Sequence, residues 1–428
     1  MHFLDNVFCL QYPLYKPAVS EGGRGWLLSL LLRTKPLYHA SLALSAYHRS
    51  TMFVAQHCCP TTPSGMTEQE EHLAISLREL QGAIQNVDQF VTRACPANSL
   101  GMMASTVQLI FFEVGFECSF WNSFVVSMLI NPQLFAGQGD SWRIHLNAAT
   151  ALFSGPYKNE MARLGLDGIS TSNVNRIASY SEETVIFKFL TSVIAWLDII
   201  SSTTNGKLPR IIHLLPGEIS SGSVINFEAV MGCKNWVMVQ IGRISELHGF
   251  KTESIREGHI VCEEVGQRAS VIKSELQNGL AESSLSFLSI SDPIVATACN
   301  PYITPQMFTT QLFALSASIY LHLVVFGYQQ ESEELTVMVS DAIKLIRRHI
   351  PTELTHALVF PLYIIGSAAR IEDETIFRHI FSSLPLLDPS LEHRAKFLPL
   401  LENIWAMRGT GWEWETNIQL SGPNLLLL

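Results

Sequence analysis

The chain has little charge and no cysteine pattern suited to zinc. Only 15% of its 428 residues are Asp, Glu, Lys or Arg, and the 28 basic residues are outnumbered by 38 acidic ones, giving a formal net charge of -10. Neither sign forms a long run. Duplex DNA is bound largely by neutralising phosphates, which calls for a basic face. This composition offers none, so any contact with DNA is expected to be indirect. The eight cysteines, Cys9, Cys58, Cys59, Cys95, Cys118, Cys233, Cys262 and Cys299, include no pair at the C-x2-C spacing of structural zinc. They are expected as free thiols, mostly buried, in a reducing compartment. No Asn-x-Ser/Thr sequon occurs, which agrees with an intracellular address. Asp5 stands where a signal peptide would be basic and no apolar core follows it, so secretion is not expected.

Catalytic patterns are missing as well. A helical isoprenoid cyclase needs clustered carboxylates to hold magnesium against a diphosphate, and no Asp-Asp-x-x-Asp cluster is present. Glu113 and Glu117, four apart on one helix face, are expected as a solvated or salt-bridged pair. Glu331, Glu333 and Glu334 are expected at a helix start, where acids complement the dipole. The 14 histidines include no His-Glu-x-x-His, and His57 beside Cys58 and Cys59 makes poor tetrahedral geometry. Gly22-Gly23-Arg24-Gly25 lacks the Lys-Ser/Thr of a phosphate loop and reads as a turn leading into a helix. Trp412-Glu413-Trp414-Glu415 has no cationic groove beside it and is expected to pack as a tail. The run Leu425 to Leu428 matches no prenylation or retention signal. No catalytic, cofactor-binding or metal-binding residue is assigned, no cofactor is expected, and the chain is not read as an enzyme.

What is present is apolar periodicity. Hydrophobic residues make up 47% of the chain, ample for a large core and inconsistent with disorder. Gly22 to Arg49 reads as two helices broken near Lys35 by Pro36. Trp26, Leu27, Leu30 and Leu31 share one face, and Leu37, Ala40, Leu44 and Tyr47 recur on the next. Cys58 to Gly65 reads as a loop, followed by a helix that starts at a Thr67/Glu70 capping box and carries a stripe from Leu73 to Val91. Further helices are expected over Leu100 to Ile130 and Ser141 to Phe153, and from Glu182 to Ile200, the last capped by Ser181. A polar connector over Asp167 to Ser179 and a loop over Ser201 to Pro216 separate the elements. Beyond these the periodicity predicts helices over Glu228 to Leu247, stopped near Gly249, and Thr252 to Gln277, stopped at Gly279. Ser283 to Pro293 is expected as the main linker. Helices then cover Pro305 to Phe326, Glu331 to Ile350, Glu353 to Arg370, Glu372 to Ser383 and Ser390 to Met407, with Leu335, Val339, Ile343 and Ile346 as one stripe. Leu312 to Gly327 is the strongest membrane candidate, but it is short of the ~20 residues of a span and is expected as a buried helix. Alternating strand patterns joined by Asn-Gly or Asp-Gly turns are absent. The fold class is therefore all-α, a multi-helix array of roughly a dozen helices, arranged either as one extended array or as two packed sub-bundles, 1–282 and 294–428.

Several blocks together resemble a known family. They are Phe3-Leu4-Asp5-Asn6-Val7-Phe8 with Gln11-Tyr12-Pro13, then Gly25 to Arg33 with Pro36 to Ala40 and Leu42 to His48. Others are Trp142 to Ala149, Trp196-Leu197-Asp198-Ile199, Met231-Gly232-Cys233-Lys234-Asn235-Trp236, Pro361 to Ala369 and Arg394 to Leu401. In combination they are similar to the fungal-specific transcription factor regulatory domain, the helical domain usually found C-terminal to a six-cysteine zinc binuclear cluster. The resemblance spans nearly the whole chain. It implies a nuclear transcription regulator or co-regulator, controlling a metabolic or secondary-metabolite gene cluster. No such zinc cluster occurs within these residues, so the expected partners are proteins: a zinc-cluster transcription factor or the transcription machinery, with a homodimer and a small-molecule effector as further candidates. DNA is expected as an indirect partner and a membrane is not. The alternative reading is a helical enzyme or carrier with a hydrophobic small-molecule pocket.

Overall fold

A computed structural model describes residues 1–17, 23–57, 71–72, 74–75, 78, 96–115, 141–151, 164, 182–205, 208–222, 224–259, 262–289, 304–329, 332–349, 352–384, 386–408 and 426–428. Of these, 84% are helical and none lies in a strand, so the chain is all-α as the periodicity predicts. It divides into two compact units, residues 1–195 with 388–393, and residues 196–387 with 394–428. The sequence's candidate division, between 282 and 294, falls within the second unit.

The first unit opens with a helical turn, Phe3–Val7, that continues into α1, Phe8–Gln11. Helix α2, Gly25–Arg33, and α3, Lys35–His57, are parted at Thr34, whose backbone is extended at φ -117° and ψ 96°. Pro36 therefore sits in the first turn of α3, where its missing N–H would have had no helical partner. The break is real and falls one residue before its expected place. Trp26, Leu27, Leu30 and Leu31 are buried, as are Leu37, Ala40 and Leu44, while Tyr47 is only half-buried. Helix α4, Pro96–Gly115, and α5, Ser141–Ala151, pack on each other, α4 also lies against α3, and Trp142, His145, Leu146 and Ala149 point inward from α5. Helix α6, Glu182–Asn205, supplies residues 182–195 to this unit and 196–205 to the second.

One aromatic cluster ties the family-like blocks of the first unit together. Phe189 of α6 meets Tyr15 with ring centres 4.6 Å apart, Trp26 at 5.1 Å, Tyr12 at 5.0 Å and Phe8 at 5.9 Å. The Trp26 indole N–H donates to the Tyr15 hydroxyl at 3.1 Å. Such tilted and edge-on pairs add to the burial of large rings, and the indole donor is satisfied inside.

In the second unit the elements after α6 are α7, Arg210–Leu214, α8, Pro216–Ser221, α9, Phe227–Met231, α10, Asn235–Arg256, α11, Cys262–Ser289, α12, Pro305–Phe326, α13, Glu333–His349, α14, Val359–Ser367, α15, Glu374–Phe381, and α16, Phe397–Ala406. Short 3-10 turns, Thr352–Ala357, Ile371–Asp373 and Pro389–Lys396, lead into the last three. Helix α12 is the centre, with α10, α11, α13 and α14 all packed against it. It begins at Thr304, whose hydroxyl accepts the Met307 N–H at 3.2 Å, has Pro305 in its first turn, and ends at Gly327 with φ 71°. Helices α6 and α12 are long and apolar enough to cross a membrane by composition, yet 83% and 78% of their apolar windows are buried within the protein, which is how core helices look. The stripe Leu335, Val339, Ile343 and Ile346 of α13 is buried as predicted.

Several expectations are corrected. Ser201 to Pro216 is not a loop: α6 runs on through Ser201–Thr204, and α7 follows. Four successive hydroxyls make this possible by donating back along the helix, Ser201 to Asp198 O, Ser202 to Ile199 O, Thr203 to Ile200 O and Thr204 to Ser201 O, at 2.6 to 3.2 Å. Residues that usually compete with a helix here stay inside it, their hydroxyls donating to the helix's own carbonyls. The helix expected from Glu228 breaks instead at Gly232, φ 79°, after α9. Asn235 holds the break: its Oδ1 accepts the Phe227 N–H at 2.9 Å and its amide donates to Ile219 O and Ile225 O, both at 2.7 Å. Gly249 and Gly279 stop nothing. Helix α10 passes the first, and α11 passes the second to reach Ser289, so the expected linker begins as helix. Of the described cysteines, Cys233 is buried but Cys9 and Cys262 are exposed. The loop at 58–65, most of the 67–91 helix, residues 116–130, the connector at 167–179 and the 412–415 segment lie outside the described residues.

Gly279 is set by packing. A β-carbon there would lie 2.6 Å from the Trp236 indole ring of α10. Alanine gains about 1 kcal/mol of helix propensity over glycine, but the ring is rigid and the overlap must displace a helix or rotate the indole, a cost of about 1–3 kcal/mol. Gly279→Ala is expected to be destabilising overall in chemical denaturation, whereas Gly266→Ala in the same helix, with open space around its β-carbon, is expected to stabilise. A stabilised Gly279→Ala chain would show that the helices do not approach this closely.

Candidate functional site

Among the described residues no group of three or more His, Cys, Asp or Glu is placed to hold a metal. Glu333 and Glu334 do start α13, and Glu334 is tied to Lys273 at 2.5 Å, which holds its carboxyl below the usual range. The side chains of Glu113, Glu117 and His57 are outside the described residues. Three other features carry the surface and interior chemistry.

The first is an exposed apolar face on the opening helices. In α2, Leu28 is 40% and Leu32 72% exposed, and Tyr38 of α3 is 42% exposed. Leu28 and Leu32 are four apart and share a face, opposite the buried Trp26/Leu27/Leu30/Leu31 side. A helix with apolar residues on both faces buries one in its own unit and leaves the other for a partner.

The second is a buried ionic centre at the end of α16. Arg408 Nη1 pairs with Glu374 Oε1 at 2.9 Å, with side-chain exposures of 8% and 12%. The same carboxylate receives Arg378 at 3.1 Å, and Arg378 continues to Glu402 at 3.1 Å. Trp405 has a guanidinium near its ring on each count, Arg378 at 4.8 Å and Arg408 at 5.9 Å, while Arg408 also sits 5.3 Å from the Tyr328 ring. The indole N–H donates to Gly366 O at 2.9 Å. Burial pushes the Arg408 guanidinium below its ordinary value, and Tyr328 and Glu374 oppose that.

The third is Asp198, in the Trp196-Leu197-Asp198-Ile199 block. Its carboxylate accepts the Ile211 N–H at 2.9 Å and so caps the start of α7. Burial dominates its titration and pushes the carboxyl up to about 6, against the opposing pull of the Ile211 and Arg210 backbone N–H groups. None of the three features presents a nucleophile beside a base, and what they can do is bind, brace and dock.

The full length of the chain, residues 1–428, matches the family described as the fungal specific transcription factor domain. The chain belongs to that family. It is 36% identical to pestheic acid cluster transcriptional regulator 3 of Pestalotiopsis fici, over 97% of this chain and 72% of that protein. It is 26% identical to the trichothecene biosynthesis transcription regulator TRI10 of Trichoderma arundinaceum, over 100% of this chain and 96% of that protein. The ustiloxin B cluster transcription factor ustR of Aspergillus flavus is 23% identical over 89% of this chain and 62% of that protein. No solved structure matches. The relatives of this fungal-specific domain are transcription regulators, and they support regulation over the helical enzyme or carrier. Sequence reasoning missed Glu374, Arg408 and Asp198 as interior charges. Only Asp198 gave a signal, as a lone acid amid Trp196, Leu197, Ile199 and Ile200.

Proposed function

We propose that this chain acts in the nucleus as a regulator of a fungal secondary-metabolite gene cluster, through protein contacts made by the exposed face of α2 and α3 with a DNA-reading zinc-cluster regulator. The observation that carries the reading is the family match along the entire chain together with relatives named for biosynthetic clusters. The acidic balance and the absence of a C-x2-C pair within these residues favour borrowed DNA contact. Leucines on an exposed helix face suit a helix-in-groove contact, whose anchors repeat at three and four residues.

The experiment compares the wild-type chain with Leu28→Asp/Leu32→Asp for chromatin occupancy and transcript levels. The double variant leaves the buried face of α2 intact, so it is expected to fold, to lose at least tenfold in occupancy, and to lower transcripts of one gene cluster as a deletion does. Nuclear exclusion of the wild-type chain with no transcript changed by deletion would end the proposal. Unchanged occupancy of the folded double variant would remove α2 as the contact.

A further inference from the structure

His2 precedes the opening turn and His48 lies on α3, 46 residues away in sequence, yet His2 Nε2 stands 3.0 Å from His48 Nδ1. Their ring centres are 5.0 Å apart. His48 is 9% exposed and His2 half-buried, which leaves the pair open to solvent on the His2 side. The side-chain nitrogen of Asn6 lies 3.4 Å from His2 Nδ1 and 3.3 Å from His2 O. That nitrogen only donates, so His2 Nδ1 accepts and its ring proton sits on Nε2, aimed at His48 Nδ1. Burial is the main reason that both rings titrate below the ordinary histidine value, and they are neutral at pH 7.

Neutral imidazole nitrogens are ligands for late first-row metal ions. With metal–nitrogen bonds of ~2.0–2.1 Å, two such nitrogens stand about 2.9 Å apart as a cis pair at 90° and about 3.3 Å apart on a tetrahedral ion. The observed 3.0 Å falls between these and nearer the cis pair. The surroundings fit as well, because a ligating histidine is held by a group on its other ring nitrogen. Asn6 faces Nδ1 of His2, and being exposed it can turn its amide to present oxygen. The Asp388 carboxylate acts on His48 and favours positive charge there. Among the described residues no third His, Cys, Asp or Glu completes the set, so water fills the remaining positions. Hard ions such as magnesium prefer all-oxygen sites and are poorly served here.

We propose that His2 Nε2 and His48 Nδ1 form a chelating site for a divalent ion of the nickel, copper and zinc group, which clamps the opening turn to α3. On binding, the Nε2 proton of His2 leaves to solvent and one enters at Nδ1, so no net proton is released. An ion held only by the folded arrangement stabilises it by mass action.

The test is calorimetric titration of the full chain with nickel chloride, and with magnesium chloride as control. A second imidazole pair on α3, His39 with His72 at 3.2 Å between Nδ1 atoms, is removed from the comparison by placing His39→Asn in every chain. Nickel is expected to bind and magnesium is not. His2→Asn and His48→Asn are each expected to weaken nickel binding at least tenfold with α6 amides still protected from hydrogen exchange. Affinity unchanged by His48→Asn overturns the proposal and assigns the ion to the chain's opening residues alone. No nickel binding at millimolar concentration, or equal binding of magnesium, overturns it too. Exchange on the chain with both histidines intact decides even where a variant fails to fold. The Phe8 amide, which donates to Phe3 O, is expected to exchange about tenfold more slowly at a nickel concentration ten times the dissociation constant. An unchanged Phe8 rate at that concentration refutes the clamp.

Discussion

Replacing Glu374 with alanine is expected to cost the second unit about 3–5 kcal/mol, the usual loss when one partner of a buried ion pair is removed. The reason lies in what remains. Arg408 loses the partner of Nη1, and its Nε and Nη2, both buried, have no hydrogen-bond acceptor among the described residues. Its charge would then rest on the faces of Tyr328 and Trp405 alone, and a cation–π contact returns only about 0.5–2 kcal/mol. Arg378 is less affected, because it is half-exposed and keeps Glu402. Glu374→Gln should fall between, since it keeps an acceptor but not the charge. Adding Arg408→Met to Glu374→Ala should recover most of the loss, as replacing both members of a buried pair by apolar groups is often neutral. Denaturant unfolding of the four chains checks this. A loss below about 1 kcal/mol for Glu374→Ala would mean that the pair behaves like a solvated one.

Asp198 gives the second large effect, and here pH is the variable. Its carboxyl is raised from 3.8 to about 6 in the folded chain, chiefly by burial. The folded state therefore holds this proton more tightly than the unfolded state does. Its contribution to stability is complete below about pH 3.8, declines as pH rises through 6, and is then lost. At 1.36 kcal/mol per unit, the decline amounts to about 3 kcal/mol. Asp198→Asn cannot ionise. It keeps one acceptor for the Ile211 N–H but meets the Arg210 N–H with a poorer partner, a constant cost of about 1 kcal/mol. The stability of Asp198→Asn minus that of wild type should thus be slightly negative at pH 4 and positive by roughly 2 kcal/mol at pH 7.5. Unfolding measured across that range checks the slope, and parallel curves would show that Asp198 is not desolvated.

How much of this was legible in the sequence depended on the range of the interaction. The pairing of α2 with α3, the burial of the α13 stripe and the limits of α12 follow from periodicity, Pro36, Thr304 and Gly327, all of which act within a few residues. The errors have a common cause. Glycine is a weak helix former, so the sequence marks Gly249 and Gly279 as stops; both lie inside helices, and at Gly279 the close approach of Trp236 is what calls for glycine. Ser201–Thr204 was read as loop by composition, and local hydroxyl bonds inside a buried helix reversed that preference. The interior charges were illegible for another reason. Glu374 and Arg408, Arg394 and His356, and Arg394 and Leu428 are separated by 34 to 38 residues, and no local pattern shows which distant partner will neutralise a charge.

The contact between Gly279 and Trp236 also bears on how the family can diverge. An indole lying where a β-carbon would stand makes the two positions one unit of inheritance, 43 residues apart in sequence and inseparable in space. A lineage that enlarges position 279 before position 236 has become small passes through a destabilised chain, in which the indole must rotate or the two helices must part. Pairs of this kind constrain the order of mutations as well as their identity.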